Sequence, residues 1–252
     1  MKKQVILAKF LIILALLLTA CSSVPTPTAE DINTTSNNSE SFSESNSYDL
    51  GIMADVMAAR NENAQKYKDD KSEIVATVNG EPIYKSRLLL AKADIEKTNE
   101  IMIDAINKSD FPQDIKEGYL QNLKVYNEDD ELQKAIKNEV FCQEAQKLGM
   151  TATAEETLAF VTEQYNTFIE QAESGVAMAQ EVIEYYDSEM KKKNLMVDEY
   201  LKMLSNDSKR IILLTKINEK IMSQDLSEKG DPQKLTEDYY NSILDSYDIQ
   251  IQ

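Results

Sequence analysis

Forty-four carboxylates and two thiols, Cys21 and Cys142, make up most of the reactive inventory of this 252-residue sequence, which has no histidine and six glycines. Two carboxylates can divide acid and base roles between them, but acids scattered over helical faces read more simply as solvated surface. A chain without histidine and without a cysteine cluster has no raw material for a zinc site or a Ser-His-Asp triad. So few glycines leave no Gly-rich phosphate cradle. The expectation is therefore no cofactor, no metal, no catalytic residue and no enzymatic activity. Cys142 falls among Val140, Phe141 and Ala145 in a helical stretch, where a small buried thiol is expected rather than a reactive one.

Cys21 has a different setting. Lys2, Lys3 and Lys9 precede an uninterrupted apolar run, Phe10 to Leu18, and then Thr19-Ala20-Cys21. These are the basic and apolar regions of an export signal, and the run falls far short of the roughly 20 residues that span a bilayer. Leu18-Thr19-Ala20-Cys21 resembles the lipobox of bacterial lipoproteins, in which the cysteine thiol carries diacylglycerol. That resemblance implies a signal peptide over 1–20, lipidation at Cys21 with fatty acyl chains such as palmitate, and an extracytoplasmic body held at the cell membrane, on its outer leaflet in a one-membrane envelope. The competing reading is an ordinary secretory signal with a chance cysteine. Loss of the three lysines takes the formal charge from −17 to −20. Nucleic acid repels so acidic a chain, and nucleic-acid binding is excluded as an expectation.

The elements that must position these residues follow from composition and period. Residues 21–48 are Ser, Thr, Asn, Pro and Glu with few large apolar side chains, which reads as a disordered tether. The body is then 49–252. Ile52, Met53 and Val56 suggest a modest helix before Lys71. Ile74, Ala76 and Val78 alternate with Val75 and Thr77, and Asn79-Gly80 is a type I′ turn pair, so an antiparallel hairpin is predicted over about 74–84. Pro82 makes the returning strand an edge. Everything after it reads as helix. Ser86 is a candidate cap for a helix containing Leu88, Ala91, Ile95, Met102 and Ala105, and Pro112 fits the first turn of another that ends near Tyr126.

From Asp130 to Leu148 apolar residues occupy most of the circumference, which places that helix at the centre of a core. Gly149 stands at its left-handed end. Leu158, Val161, Tyr165, Phe168, Ala172, Gly175, Ala179, Val182 and Tyr186 fall on alternating three- and four-residue steps, the seam of a coiled coil. One long helix over about 154–191 is expected, the alternative being two helices broken at Ser174-Gly175; a homodimer is among the assemblies such a seam serves, with Ala172, Gly175 and Ala179 admitting a close partner backbone. Shorter helices follow at 198–204 and 207–224, then a polar connection over 227–232. Thr236 is a candidate cap for a last helix carrying Tyr240, Ile243, Leu244 and Tyr247. The closing segment, about 234–252, ends in a strand over 248–251 that must join the hairpin, where the chain's sheet lies. The fold class is mainly α with a small antiparallel sheet.

With these residues in view, the chain resembles the N-terminal chaperone domain of the SurA and PrsA type, extracytoplasmic folding factors related to the chaperone region of trigger factor. The likeness rests on Ile74-Val75-Ala76-Thr77-Val78-Asn79-Gly80-Glu81-Pro82-Ile83, on Glu144-Ala145-Gln146-Lys147-Leu148-Gly149-Met150, and on Leu195-Met196-Val197-Asp198-Glu199-Tyr200. It departs at Tyr84 and Arg87, where the family more often has a Ser/Thr cap and an acid. Full-length members also carry a parvulin-type isomerase domain, for which the stretch around Leu226 to Gln233 leaves no room. The resemblance implies a holdase or foldase whose partners are unfolded or nascent exported polypeptides. Ten methionines and twelve tyrosines suit varied apolar clients. Tyr165, Phe168, Met178, Tyr186 and Met190 are the candidate client contacts, set against the plainer reading that they fill core seams. The alternatives are a prolyl isomerase-family protein and an envelope lipoprotein with one dedicated partner.

Overall fold

A computed structural model describes residues 50–224 and 232–252. The signal, Cys21, the tether and most of the 227–232 connection lie outside the described residues. Nine helices and three strands occur among the described residues: α1 (Met53–Tyr67), β1 (Ile74–Val78), β2 (Glu81–Tyr84), α2 (Lys85–Lys108), α3 (Gln113–Gln121), α4 (Glu128–Lys147), α5 (Ala154–Glu173), α6 (Ala177–Lys193), α7 (Val197–Asn206), α8 (Lys209–Gln224), α9 (Pro232–Leu244) and β3 (Ile249–Ile251). The fold is mainly helical with a small antiparallel sheet.

The sheet has the order β2-β1-β3. Asn79 (φ 50°) and Gly80 (φ 83°) are both left-handed, as a type I′ turn requires, and Pro82 sits opposite Thr77 on the edge strand. The chain's end does return to the hairpin: Ile249 pairs with Val78 and Ile251 with Ala76. Reciprocal bonds lock that return. Asn79 N–H donates to the Asp248 carbonyl at 2.7 Å, and Asp248 N–H donates to Asn79 Oδ1 at 2.9 Å.

α4 is the central helix. Asn127 caps it by accepting from the amides of Asp129 and Asp130, and four acids in its first turn complement the dipole. Ala135, Ile136 and Val140 face the sheet, packing with Ala76, Val78 and Ile83. Phe141, Cys142 and Ala145 face α8, against Leu213, Ile217 and Ile221. α9 covers both clusters through Tyr240 and Ile243. Its Tyr239 and the following Tyr247 donate to the buried carboxylate of Glu144 at 3.5 and 2.7 Å.

The seam expected in one long helix is instead folded in two. α5 has Ser174 as its C-cap, Gly175 takes φ 85°, and the Val176 amide donates to the Gln171 carbonyl at 3.0 Å, a Schellman ending. No atom lies within 4 Å of where a Gly175 Cβ would stand, so this glycine serves the turn and not a close approach. The reason is burial. A continuous helix would leave its seam to an outside partner, whereas reversal at Gly175 packs Val161, Tyr165 and Phe168 of α5 against Ala179, Val182 and Tyr186 of α6.

Three smaller expectations are corrected. Ser86 lies inside α2, whose N-cap is Tyr84 without a side-chain cap, because the chain passes from β2 into the helix with no intervening loop. Pro112 is the N-cap residue of α3, which stops at Gln121 and not at Tyr126. Thr236 is inside α9, its hydroxyl donating to the Pro232 carbonyl at 2.9 Å, because Pro232 already supplies the first helical position.

Candidate functional site

Local sequence does little to start α1. Its N-cap residue, Ile52, makes no side-chain cap. The amides of Met53 and Ala54 donate instead to Glu181 Oε2 on α6, at 2.6 and 3.4 Å. A carboxylate in that position satisfies orphan amides and faces the positive end of the helix dipole. Farther along, Asn61 Nδ2 donates to Glu189 Oε2 on α6 at 3.1 Å, and Asn63 Nδ2 donates to Asp94 Oδ1 on α2 at 2.9 Å. α1 therefore lies between α2 and α6, yet Val56 is its one fully buried side chain.

Under α1 is a half-open cleft of about 280 Å³. Phe168 of α5, Val182 and Tyr186 of α6, and Tyr200 of α7 line it on one side. Met53, Met57 and Ala64 line it from α1, and Met203 and Leu204 from α7. The aromatic wall is continuous: the Tyr186 ring centre is 5.9 Å from that of Tyr185 and 5.7 Å, edge-on, from that of Tyr200. Arg60, Asn61, Glu189 and Lys193 complete the lining. Burial raises the Glu189 carboxyl, but hydrogen bonds from Lys192 and Lys193 outweigh it and hold the group below its ordinary value. Burial pushes the Tyr186 phenol up to about 12. The cleft thus joins an apolar, methionine- and tyrosine-rich interior to fixed charges, a composition that desolvates an apolar side chain and orients the polar backbone beside it.

The structure brings four of the five candidate contacts, Tyr165, Phe168, Tyr186 and Met190, into one buried cluster, with Met178 half-buried at its edge. Phe168 and Tyr186 also reach the cleft; Tyr165, Met178 and Met190 do not. Sequence reasoning missed the cleft's α1 wall. Met53 and Met57, four apart on a helix expected only from Ile52, Met53 and Val56, were the available signal.

Asp94 is 1 % exposed, and its Oδ2 has no hydrogen-bond partner. Burial pushes this carboxyl up to about 6, against the opposing effects of the Asn63 hydrogen bond and the Arg60 charge. A carboxyl raised from 3.8 to about 6 on folding contributes stability that is complete below 3.8 and lost as pH rises through 6. Asp94→Asn keeps the oxygen that accepts from Asn63 and removes the charge. The expected result is a higher Tm than the parent's above pH 6 and a matching one at the acid end. Identical pH profiles of Tm for the two proteins would show that another group titrates.

Cys142 is buried, its thiol pushed up to about 11 by that burial, as an inert packing residue requires. Among the described residues no group of three His, Cys, Asp or Glu side chains is placed to hold a metal ion. No helix among them is long and apolar enough to cross a membrane. Comparisons with family models, with curated proteins and with solved structures gave no match for the chain.

Proposed function

We propose that the protein is a membrane-anchored holdase that binds unfolded or newly exported polypeptide without a chemical step. The observation that carries this reading is the cleft under α1, where Met53, Met57 and Met203 over a floor that includes Tyr186 and Tyr200 adapt to apolar side chains of different shape. Its volume, at the lower bound of ligand pockets, suits one or two large side chains from a chain segment. The likeness of the hairpin and helix ends to SurA and PrsA chaperone domains supports the same reading, and the lipobox-like sequence at Cys21 supports an activity at the membrane surface.

The test is light scattering of several unrelated, chemically unfolded proteins as they aggregate, with the full chain in lipid nanodiscs at stoichiometric amounts. The full chain is expected to suppress aggregation of all of them. Met203→Lys, at the cleft's exposed margin, should require about ten times more chain for the same effect, the equivalent of about 1.4 kcal/mol. Clients that aggregate unhindered would sink the holdase reading and turn attention to one dedicated envelope partner.

Anchoring has its own check. Cys21→Ser is expected to abolish incorporation of a palmitate analogue into the chain in cells. Undiminished label in the variant would remove the lipid from Cys21.

A further inference from the structure

We propose that α1 is an exchangeable occupant of the groove between α2 and α6, and that the client segment bound there is an amphipathic helix that takes its place. This rests on the polypeptide-binding reading above and names the shape of the partner. The groove already receives a helix in the folded chain, and its features fit helices in general. Glu181 takes up the free amides of a helix N-terminus, a demand every uncapped helix makes. The cluster of α5, α6 and α7 takes up flexible side chains four residues apart, Met53 and Met57, beside the cleft they line. Glu189 then accepts from the amide of Asn61, two turns farther along the same stripe.

α1 lies closely against α2 and α6, but its apolar burial is thin. It buries Val56 alone, leaves Met53, Ala54, Met57 and Ala58 half-buried, and stands over about 280 Å³ of unfilled space. Asp94, which accepts from Asn63 of α1 through Oδ1, has its Oδ2 buried without a partner. Departure of α1 hydrates that carboxylate, so undocking recovers part of what it loses in contacts. The three carboxylates that receive α1, Glu181, Glu189 and Asp94, set the preferred chemistry of a replacement. It is a helix with methionine or leucine four apart, an amide or a basic side chain facing the acids, and no acid on that stripe. Covalent attachment gives α1 a high effective concentration. A competitor in trans therefore gains when the attached copy is weakened and the groove left intact.

The experiment uses the full chain in nanodiscs and a labelled peptide of the sequence 53–67. Asn61→Ala with Asn63→Ala removes two of α1's links and leaves every residue of α2, α5, α6 and α7 unchanged. The peptide is expected to bind this variant at least about ten times more tightly than the parent, since apparent affinity scales with the fraction of open groove. Hydrogen exchange should quicken in α1 while α5 and α6 stay protected. Peptide carrying Met53→Asp and Met57→Asp should not bind. Equal affinity for parent and variant, or α1 amides that stay protected in the complex, overturns the proposal. So does a variant that dimerises through a swapped α1, because a second copy is then the occupant. If the variant does not fold, exchange in the parent at millimolar peptide decides: faster exchange in α1 supports the proposal, and no change overturns it. Aggregation suppression that persists without α1 exchange sinks this inference alone, whereas its absence in every form sinks the holdase reading.

Discussion

Deletion of residues 232–252 is expected to abolish the cooperative thermal transition of the body. The deletion removes α9 and β3 and with them Leu235, Tyr239, Tyr240, Ile243, Tyr247 and Ile249, which pack on the two clusters around α4. A fully buried side chain of this size is worth about 1.5–3 kcal/mol. Six half-buried ones therefore withdraw at least about 5 kcal/mol, comparable to the whole stability of many domains. The loss also uncovers one edge of β1, whose Ala76 and Val78 are fully buried, and edges of that kind aggregate. Calorimetry and dye binding to exposed apolar surface check it. A truncated chain with an unchanged Tm would mean that the sheet and α4 stand without their cover.

Phe168→Ala is expected to cost about 3–5 kcal/mol, the range for a large aromatic truncated in a core. Phe168 is 2 % exposed at the heart of the α5–α6–α7 cluster, and its loss leaves a void next to a cleft that is already open. At about 2–4 °C per kcal/mol for a domain of this size, the Tm should fall by roughly 10 °C. Met203→Lys provides the contrast. At 36 % exposure it should move stability by about 0.5 kcal/mol or less, while weakening client binding. If the two variants lost stability equally, the cleft margin would be core; if both kept it, Phe168 would be a free contact surface.

That contrast also separates two classes of residue that look alike in the sequence. Tyr165, Phe168 and Tyr186 of the seam, and Met190 beyond it, read as client contacts by residue type, yet all four are interior. Met53, Met57 and Ala64, which line the cleft from α1, carry no sequence signal beyond helix formation. A periodic stripe tells that a face is buried, but a stripe is the same whether it meets another protein or another part of its own chain.

Sequence alone determined the local features of this protein, since their causes lie within a few residues. Asn79-Gly80 specifies the hairpin because both positions need a positive φ. Pro82 specifies an edge because it has no amide to donate, and Gly149 specifies a helix end. The all-round apolar pattern of α4 specified its central place, and the lone unpaired β pattern at Ile249 and Ile251 specified its destination, because a strand requires a partner and one hairpin was available. Tertiary structure decided the rest. Gly175 became a reversal and not an interior helix residue, a choice that turns on whether the seam's two halves find each other. α1 is capped by Glu181, 128 residues away along the chain, and its cleft is assembled from four helices that no local pattern ties together. Packing between distant segments, and not propensity, fixes which apolar residues remain within reach of a partner.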